Sequence, residues 1–461
     1  MEFLVTYMPL VMFAVLAALL FTGYPVAFIL GGIALLFAVL GDLAGTFRLD
    51  QLTLIPLRIY GGTMESLVLV AIPMFTFMGT MLEKSGAARD LLYALQVMMR
   101  RVPGGLALSV TLMGTIMAAT TGIIGASVVM ITLMALPVMM KANYNIPLAT
   151  GTIASSGTLG ILIPPSIMLV IMSDLLSVPV GTVFIAALIP GLLLAALYFV
   201  YLLTLCGFRP ELAPPMADDI GPATRGEFWA MVLRSFLPPI FLITMVLGSI
   251  FLGFATPTEA AGVGAFGSLL LAAFNRQLTW TNFVDVCRRS ALTVAMLFGI
   301  FVGATAFAFV FKSIGGEALI VDFIRETGVG PWSILFVLMA MIFLLGFFFD
   351  WIEITLIVMP IFAPIVSLLD FGGHVGMWDG ISNPIMIWFL ILVAVNLQTS
   401  FLTPPFGFAL FYMKGVAPPE VKIQQIYRGI IPFVMLQLLG LALCIAFPAF
   451  VLWLPSLILG G

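Results

Sequence analysis

Charged side chains are scarce in this chain: Asp, Glu, Lys and Arg make up 8% of 461 residues, against about a quarter in an ordinary soluble domain. Histidine occurs once, at His374, and the cysteines Cys206, Cys287 and Cys444 stand alone in or beside apolar runs, with no C-x-x-C spacing. Those shortages argue against a disulfide framework and against a Cys/His metal centre. The 18 Lys and Arg residues are spread over several loops and the net charge is −3, so neither a nucleic-acid surface nor a polybasic lipid-binding tail is expected. No G-x-x-x-x-G-K-[ST] stretch offers a phosphate cradle, and no H-E-x-x-H or Ser–His pattern offers catalysis, so the chain is not expected to be an enzyme.

Apolar residues are what the chain has instead, at 62%. A water-soluble fold cannot hide so much apolar surface, whereas a lipid bilayer accepts it. A spanning helix needs roughly 20 apolar residues, which leaves room for about ten crossings or partial crossings. The runs are continuously apolar rather than alternating, so they read as helices and not as barrel strands. The first, from Phe3 onward, lacks a basic leader and a small-residue cleavage site and is expected to be a retained helix. Basic residues between Lys84 and Arg101 assign that loop to the cytoplasm.

Some apolar runs are broken in a patterned way. Residues 103–141 are interrupted by Thr120-Thr121-Gly122 and Gly125-Ala126-Ser127, leaving two halves too short to cross comfortably, while Arg100, Arg101 and Lys141 hold both ends on one side. A re-entrant helical hairpin fits this. Residues 146–172 then run into Pro164-Pro165, which removes two N–H donors and forces the chain out of α geometry, so this helix must be discontinuous. The second half repeats the order. Ile131-Thr132-Leu133 and Pro137 recur as Ile354-Thr355-Leu356 and Pro360, Pro164-Pro165 recurs as Pro404-Pro405, and Lys84-Ser85-Gly86 recurs as Lys312-Ser313-Ile314-Gly315. The segment from Asp370 to Asn383 has no Lys or Arg, whereas Lys414, Lys422 and Arg428 follow the second break. The two copies therefore run in opposite senses across the bilayer, as inverted repeats.

The expected organisation is an all-α polytopic membrane protein. Residues 1–45 are the N-terminal transmembrane segments, 46–205 the first repeat (hairpin 103–141, broken helix 146–172) and 206–284 a linker with scaffold helices. Residues 285–445 are the second repeat (hairpin 331–369, broken helix 383–414), and 446–461 are a C-terminal tail. Paired broken helices in corresponding halves mark the binding site of a transporter, because unwound backbone offers carbonyls to cations and N–H groups to anions. Hydroxyl and amide oxygens gathered at both breaks suit a hard cation such as Na⁺. The Na⁺ candidates are Thr121, Gly122, Ser127, Ser155, Ser156, Gly157 and Thr158 in the first copy, and Gly346, Asp350, Asn396, Gln398, Thr399, Ser400 and Thr403 in the second. Ser156, Thr158, Glu353, Gln398 and Thr399 are the candidates for touching solute. Ser, Thr and Gly also let membrane helices pack closely, but packing alone does not call for a double break. Asp350 and Glu353 lie in the second hairpin tip, where an intramembrane carboxylate reads as functional unless a Lys or Arg pairs with it. Glu259 reads as a helix-start carboxylate and His374 as a loop residue.

Residues 154–167 (Ala154-Ser155-Ser156-Gly157-Thr158-Leu159-Gly160 through Pro164-Pro165-Ser166-Ile167) and two other stretches resemble the large membrane subunit of tripartite ATP-independent periplasmic (TRAP) transporters, the DctM family, and the similarity runs essentially along the whole chain. The other stretches are Ala255-Thr256-Pro257-Thr258-Glu259-Ala260-Ala261 and Leu397-Gln398-Thr399-Ser400-Phe401-Leu402-Thr403-Pro404-Pro405-Phe406-Gly407-Phe408. The resemblance implies an elevator mechanism driven by Na⁺ as coupling ion, in the inner membrane of a bacterium. It implies two partners, a small four-helix membrane subunit and a periplasmic solute-binding protein, and a small organic acid as cargo. By position, it places sodium sites at the first tip with the Ser155–Gly160 break and at the second tip with the Asn396–Thr403 break. The first tip, Thr120-Thr121-Gly122-Ile123-Ile124-Gly125, departs from the family's Gly-Ser-Ser type stretch. A stand-alone proton- or sodium-coupled organic anion carrier is the alternative. A channel also uses re-entrant hairpins, but paired inverted copies favour alternating access.

Overall fold

The computed structural model describes residues 6–121, 124–216, 221–222, 224–327, 329–404 and 407–460, without the side chains of 118–121 and 323–327. All regular elements among the described residues are helical. The chain opens with α1 (Met8–Leu20) and α2 (Val26–Leu43), then an arm made of a 3₁₀ turn (Leu49–Thr53), α3 (Leu54–Ile59) and a π turn (Tyr60–Met64). Next come α4 (Ala71–Lys84) and α5 (Ala87–Met99), a hairpin of α6 (Gly105–Thr121) and α7 (Ile124–Lys141), and a helix in two pieces, α8 (Ile146–Thr158) and α9 (Ile167–Leu175). α10 (Val180–Phe208), α11 (Arg225–Phe251), α12 (Pro257–Phe274), α13 (Trp280–Ser313) and α14 (Gly316–Thr327) lead to a second hairpin, α15 (Pro331–Leu345) and α16 (Trp351–Val366). A second broken helix follows, α17 (Pro384–Ser400) and α18 (Phe408–Val416), and then α19 (Ile423–Ala446) and α20 (Ala449–Leu459). Among the described residues seven helices, α2, α7, α10, α11, α12, α13 and α19, are long and apolar enough to cross a membrane.

The same local chemistry starts and stops corresponding elements in the two halves. Asn145 and Asn383 each cap a broken helix, their side chains accepting from Leu148 N at 3.2 Å and Met386 N at 3.3 Å, with a proline in the first turn of each. A capping Asn satisfies one of the orphan N–H groups, and a first-turn proline has no N–H to lose. Gly86 and Gly315, at φ +81° and +93°, turn the chain out of α4 and α13 in the left-handed region that glycine alone enters freely. Thr256 and Glu259 form a capping box at the start of α12, Glu259 accepting from Thr256 N at 2.8 Å.

Helices α2, α4, α12 and α13 pack as one layer, α4 against α12 and α13, and α13 against α2. Glycines permit the approach: a Cβ on Gly303 would lie 2.5 Å from the Ala27 carbonyl oxygen, and one on Gly264 would lie 2.5 Å from the Met78 sulfur. The broken helices form the interior of the rest. α8 is buried from Leu148 to Thr158 and α17 from Met386 to Ser400, with α19 packed on both.

Directions follow from contacts. Gly429, near the start of α19, abuts Pro147 at the start of α8, and the α18–α19 turn is tied by Lys414 Nζ donating to the Val421 oxygen at 2.7 Å. The first broken helix therefore begins at the end of the molecule where the second finishes. At the other end, Trp388 Nε1 near the start of α17 donates to the Cys444 oxygen at 2.9 Å near the end of α19. The inverted sense expected from the charges is present in the fold.

Two expected boundaries shift. The division between 284 and 285 falls inside α13, which is continuous because no Pro or Gly interrupts it between Trp280 and Phe298. The segment read as a tail is a helix, α20, docked on α10 and α17. It runs beneath the polar insert, where a Cβ on Gly380 would lie 2.5 Å from the Leu459 carbonyl. His374 sits in a 3₁₀ turn of that insert, its Nε2 2.8 Å from the Ile445 oxygen and its ring edge-on to Trp332, as a loop residue anchored to the helix ends.

Candidate functional site

Serine and threonine hydroxyls crowd the ends of α8 and α17, and what they do with their hydrogens decides what they can bind. Ser155 and Ser156 donate to the Thr152 oxygen at 3.1 and 2.6 Å, and Thr158 donates to the Ser155 oxygen at 2.9 Å. In the second copy Thr399 donates to Val395 O at 2.9 Å, Ser400 to Leu397 O at 2.8 Å and Thr403 to Thr399 O at 2.8 Å. A hydroxyl has one hydrogen. Once it is given to the helix's own carbonyls, the oxygen offers only lone pairs to any visitor. The hydroxyls at both breaks therefore present acceptors, which suit a hard cation.

After Thr158 the helix tightens into a 3₁₀ turn, Leu159–Ile161, and does not resume as α-helix until Ile167. Ser166 donates to the Ile161 oxygen across this gap at 2.6 Å. Gly157 is pressed against α7, since a Cβ there would lie 2.6 Å from Val128 Cγ2. Ser127 is buried on α7, one residue before that contact. Thr111 on α6 is a polar neighbour that sequence reasoning missed: its Oγ1 lies 3.4 Å from Ser156 Oγ. No sequence signal singles out Thr111, because a threonine in a membrane helix commonly satisfies itself by bonding back to its own turn. Gly122 and the side chain of Thr121 lie outside the described residues.

The second tip is organised by carboxylates. Asp350 caps α16, its Oδ1 accepting from Trp351 N at 2.8 Å, while Glu353 reaches back to Asp350 N at 3.2 Å. This is a capping box, and among the described residues neither carboxylate has a Lys or Arg ion-pair partner. Gly346 ends α15 against α17, where an added Cβ would overlap the Ser400 side chain. Asn396 ties α17 to α15 by donating to the Met339 oxygen at 2.7 Å. Gln398 is buried with no partner for either end of its amide, and Thr355 Oγ1 is likewise buried and unpartnered. The first tip also touches α18: a Cβ on Gly125 would lie 3.0 Å from the Tyr412 ring.

Similarity to known proteins agrees with the geometry. The family described as tripartite ATP-independent periplasmic transporter, DctM component, matches residues 13–450. A C4-dicarboxylate TRAP transporter large permease protein of Pseudomonas aeruginosa is 31% identical over 396 residues, 86% of this chain and 87% of its own length. A sialic acid TRAP transporter large permease protein of Vibrio cholerae is 26% identical over 444 residues, 96% of this chain and 97% of its own. The crystal structure of the Alcanivorax borkumensis YdaH transporter superposes with a TM-score of 0.61 over 91% of this chain and 97% of that one, at 13% identity, which speaks for the fold.

Proposed function

Because the chain belongs to the DctM component family of tripartite ATP-independent periplasmic transporters, we propose that it is the large permease of a Na⁺-coupled uptake system for an organic acid. It is a multi-pass membrane transport subunit and not an enzyme. In this reading a periplasmic binding protein delivers the solute, a small four-helix membrane subunit accompanies the permease, and the hairpins with the broken helices move as one body against the α2, α4, α12 and α13 layer. The observation that carries the coupling ion is the pair of breaks where serine and threonine hydroxyls give their hydrogens to their own helix's carbonyls and keep lone pairs to offer. The relatives named for C4-dicarboxylates and for sialic acid both carry solutes with carboxyl groups, which supports an organic acid here.

Orientation follows from charge. Among the described residues, Arg48, Arg58, Lys312 and Arg325 are the only Lys and Arg at the end of the molecule where α9 and α13 finish; the other basic residues favour the opposite end. The positive-inside rule places that richly basic end in the cytoplasm of a bacterial inner membrane. Uptake of radiolabelled organic acids into proteoliposomes containing this chain and its small membrane partner tests the reading. Uptake should need both an inward Na⁺ gradient and the binding protein; uptake indifferent to either would overturn it.

A further inference from the structure

An organic acid brings a negative charge, and the acceptor-only hydroxyls of the two breaks offer it nothing. Cationic side chains lie elsewhere. A cavity of about 470 Å³, of a size usual for small-ligand sites, opens between the arm, α9, α13 and α16. Arg58 from the arm and Lys312 from α13 line one side, and Asp174 at the end of α9 lines another. Of the four basic residues at this end of the molecule, two thus converge on one cavity, while Arg48 is taken up by Asp50 at 2.5 Å.

The two cations differ in how free they are. Lys312 lies 3.4 Å from Glu317. Arg58 has no ion-pair partner among the described residues, and its guanidinium is held over the Phe309 ring, 4.7 Å from the centroid. Stacking fixes the plane of the fork while leaving its N–H edge available, the arrangement that suits a carboxylate. Asp174 accepts from Ser66 at 2.8 Å and does not neutralise Arg58.

We propose that this cavity is an anion-binding vestibule, in which Arg58 with Lys312 takes the carboxylate of the solute on its way to the broken helices. The proposal rests on the organic-acid permease reading for its substrate class. The cavity walls come from both sides of the moving boundary, the arm and α13 from the layer and α9 and α16 from the hairpin and broken-helix body, so a solute held there is placed to be passed between them.

The test uses the full chain in nanodiscs, with Cys287→Ser removing the one exposed thiol among the three cysteines and Ala308→Cys adding one in the cavity wall. The probes are the anionic ethylsulfonate and the cationic trimethylammonium methanethiosulfonate reagents. The anionic reagent should react faster with the Ala308→Cys thiol, and its advantage should fall about tenfold when Arg58→Gln and Lys312→Gln are added. Arg48→Gln should leave the ratio unchanged, and Arg58→Lys with Lys312→Arg should restore it. A ratio insensitive to Arg58 and Lys312, or a thiol that neither reagent reaches, overturns the vestibule even where Na⁺-dependent uptake is intact. Loss of Na⁺ dependence with the ratio still shifting would instead overturn the permease reading alone.

Discussion

The Asn396 side-chain amide donates to the Met339 main-chain oxygen at 2.7 Å, joining the second broken helix to the first helix of the second hairpin by a buried bond. Asn396→Ala leaves both helices in place but removes this tie, at a cost of about 1–3 kcal/mol for a buried polar bond. The thermal unfolding midpoint in detergent should fall, and Asn396→Asp, which exchanges the donor for a charge, should lower it further. Equal midpoints for the three proteins would show that the amide does not hold the two elements together.

Gly346 and Ser400 occupy one volume. Gly346→Ala puts a Cβ into the Ser400 side chain, and overpacking of this kind costs about 1–3 kcal/mol. Uptake and stability should both drop. Ser400→Gly in the same chain clears the space, so the double variant should be more stable than Gly346→Ala alone; additive effects in a double-mutant cycle would contradict the contact.

How much of this is legible in the sequence depends on whether a feature is local. The proline pairs announce the breaks between α8 and α9 and between α17 and α18, and the Lys-Ser-Gly elements announce the turns at Gly86 and Gly315, because a missing N–H or a positive φ is decided within a few residues. The Asn145 and Asn383 caps, each with a proline close behind, carry a repeat signal that can be read from sequence as well. So does the D-x-x-E spacing of Asp350 and Glu353, which is a capping-box pattern before it is anything else. The meeting of Arg58 with Lys312 in one cavity is not legible, since the arm and the end of α13 are brought together only by the packing of α2 and α4 on α13. Nor is the docking of α20, whose apolar run in a terminal position reads equally well as an unattached tail.

Gln398 sits at the end of α17 with neither amide atom bonded among the described residues. A buried unbonded amide costs about 1–3 kcal/mol, so a protein that keeps one without using it would gain by losing it. Gln398→Leu should raise the unfolding midpoint. If the amide meets solute or ion, the same variant should lose uptake by about tenfold, the loss of roughly one hydrogen bond in the transport cycle. A more stable variant with unchanged uptake would remove Gln398 from the site.

Asp350 holds two roles that substitution can separate. As the cap of α16 it needs only a short side-chain acceptor, which serine supplies as well as aspartate does; alanine supplies none and costs about 0.5–2 kcal/mol. As a Na⁺ ligand it needs its charge, which serine lacks. Asp350→Ser should therefore keep the wild-type unfolding midpoint while requiring several-fold more Na⁺ for half-maximal uptake, whereas Asp350→Ala should lose on both counts. The carboxylate at the tip has no Lys or Arg ion-pair partner among the described residues, so an ion arriving there would neutralise a charge that no cationic side chain meets. Should Asp350→Ser match the wild type in Na⁺ dependence, the charge is irrelevant to coupling, and the second tip keeps its carboxylates for Trp351 N and Asp350 N alone.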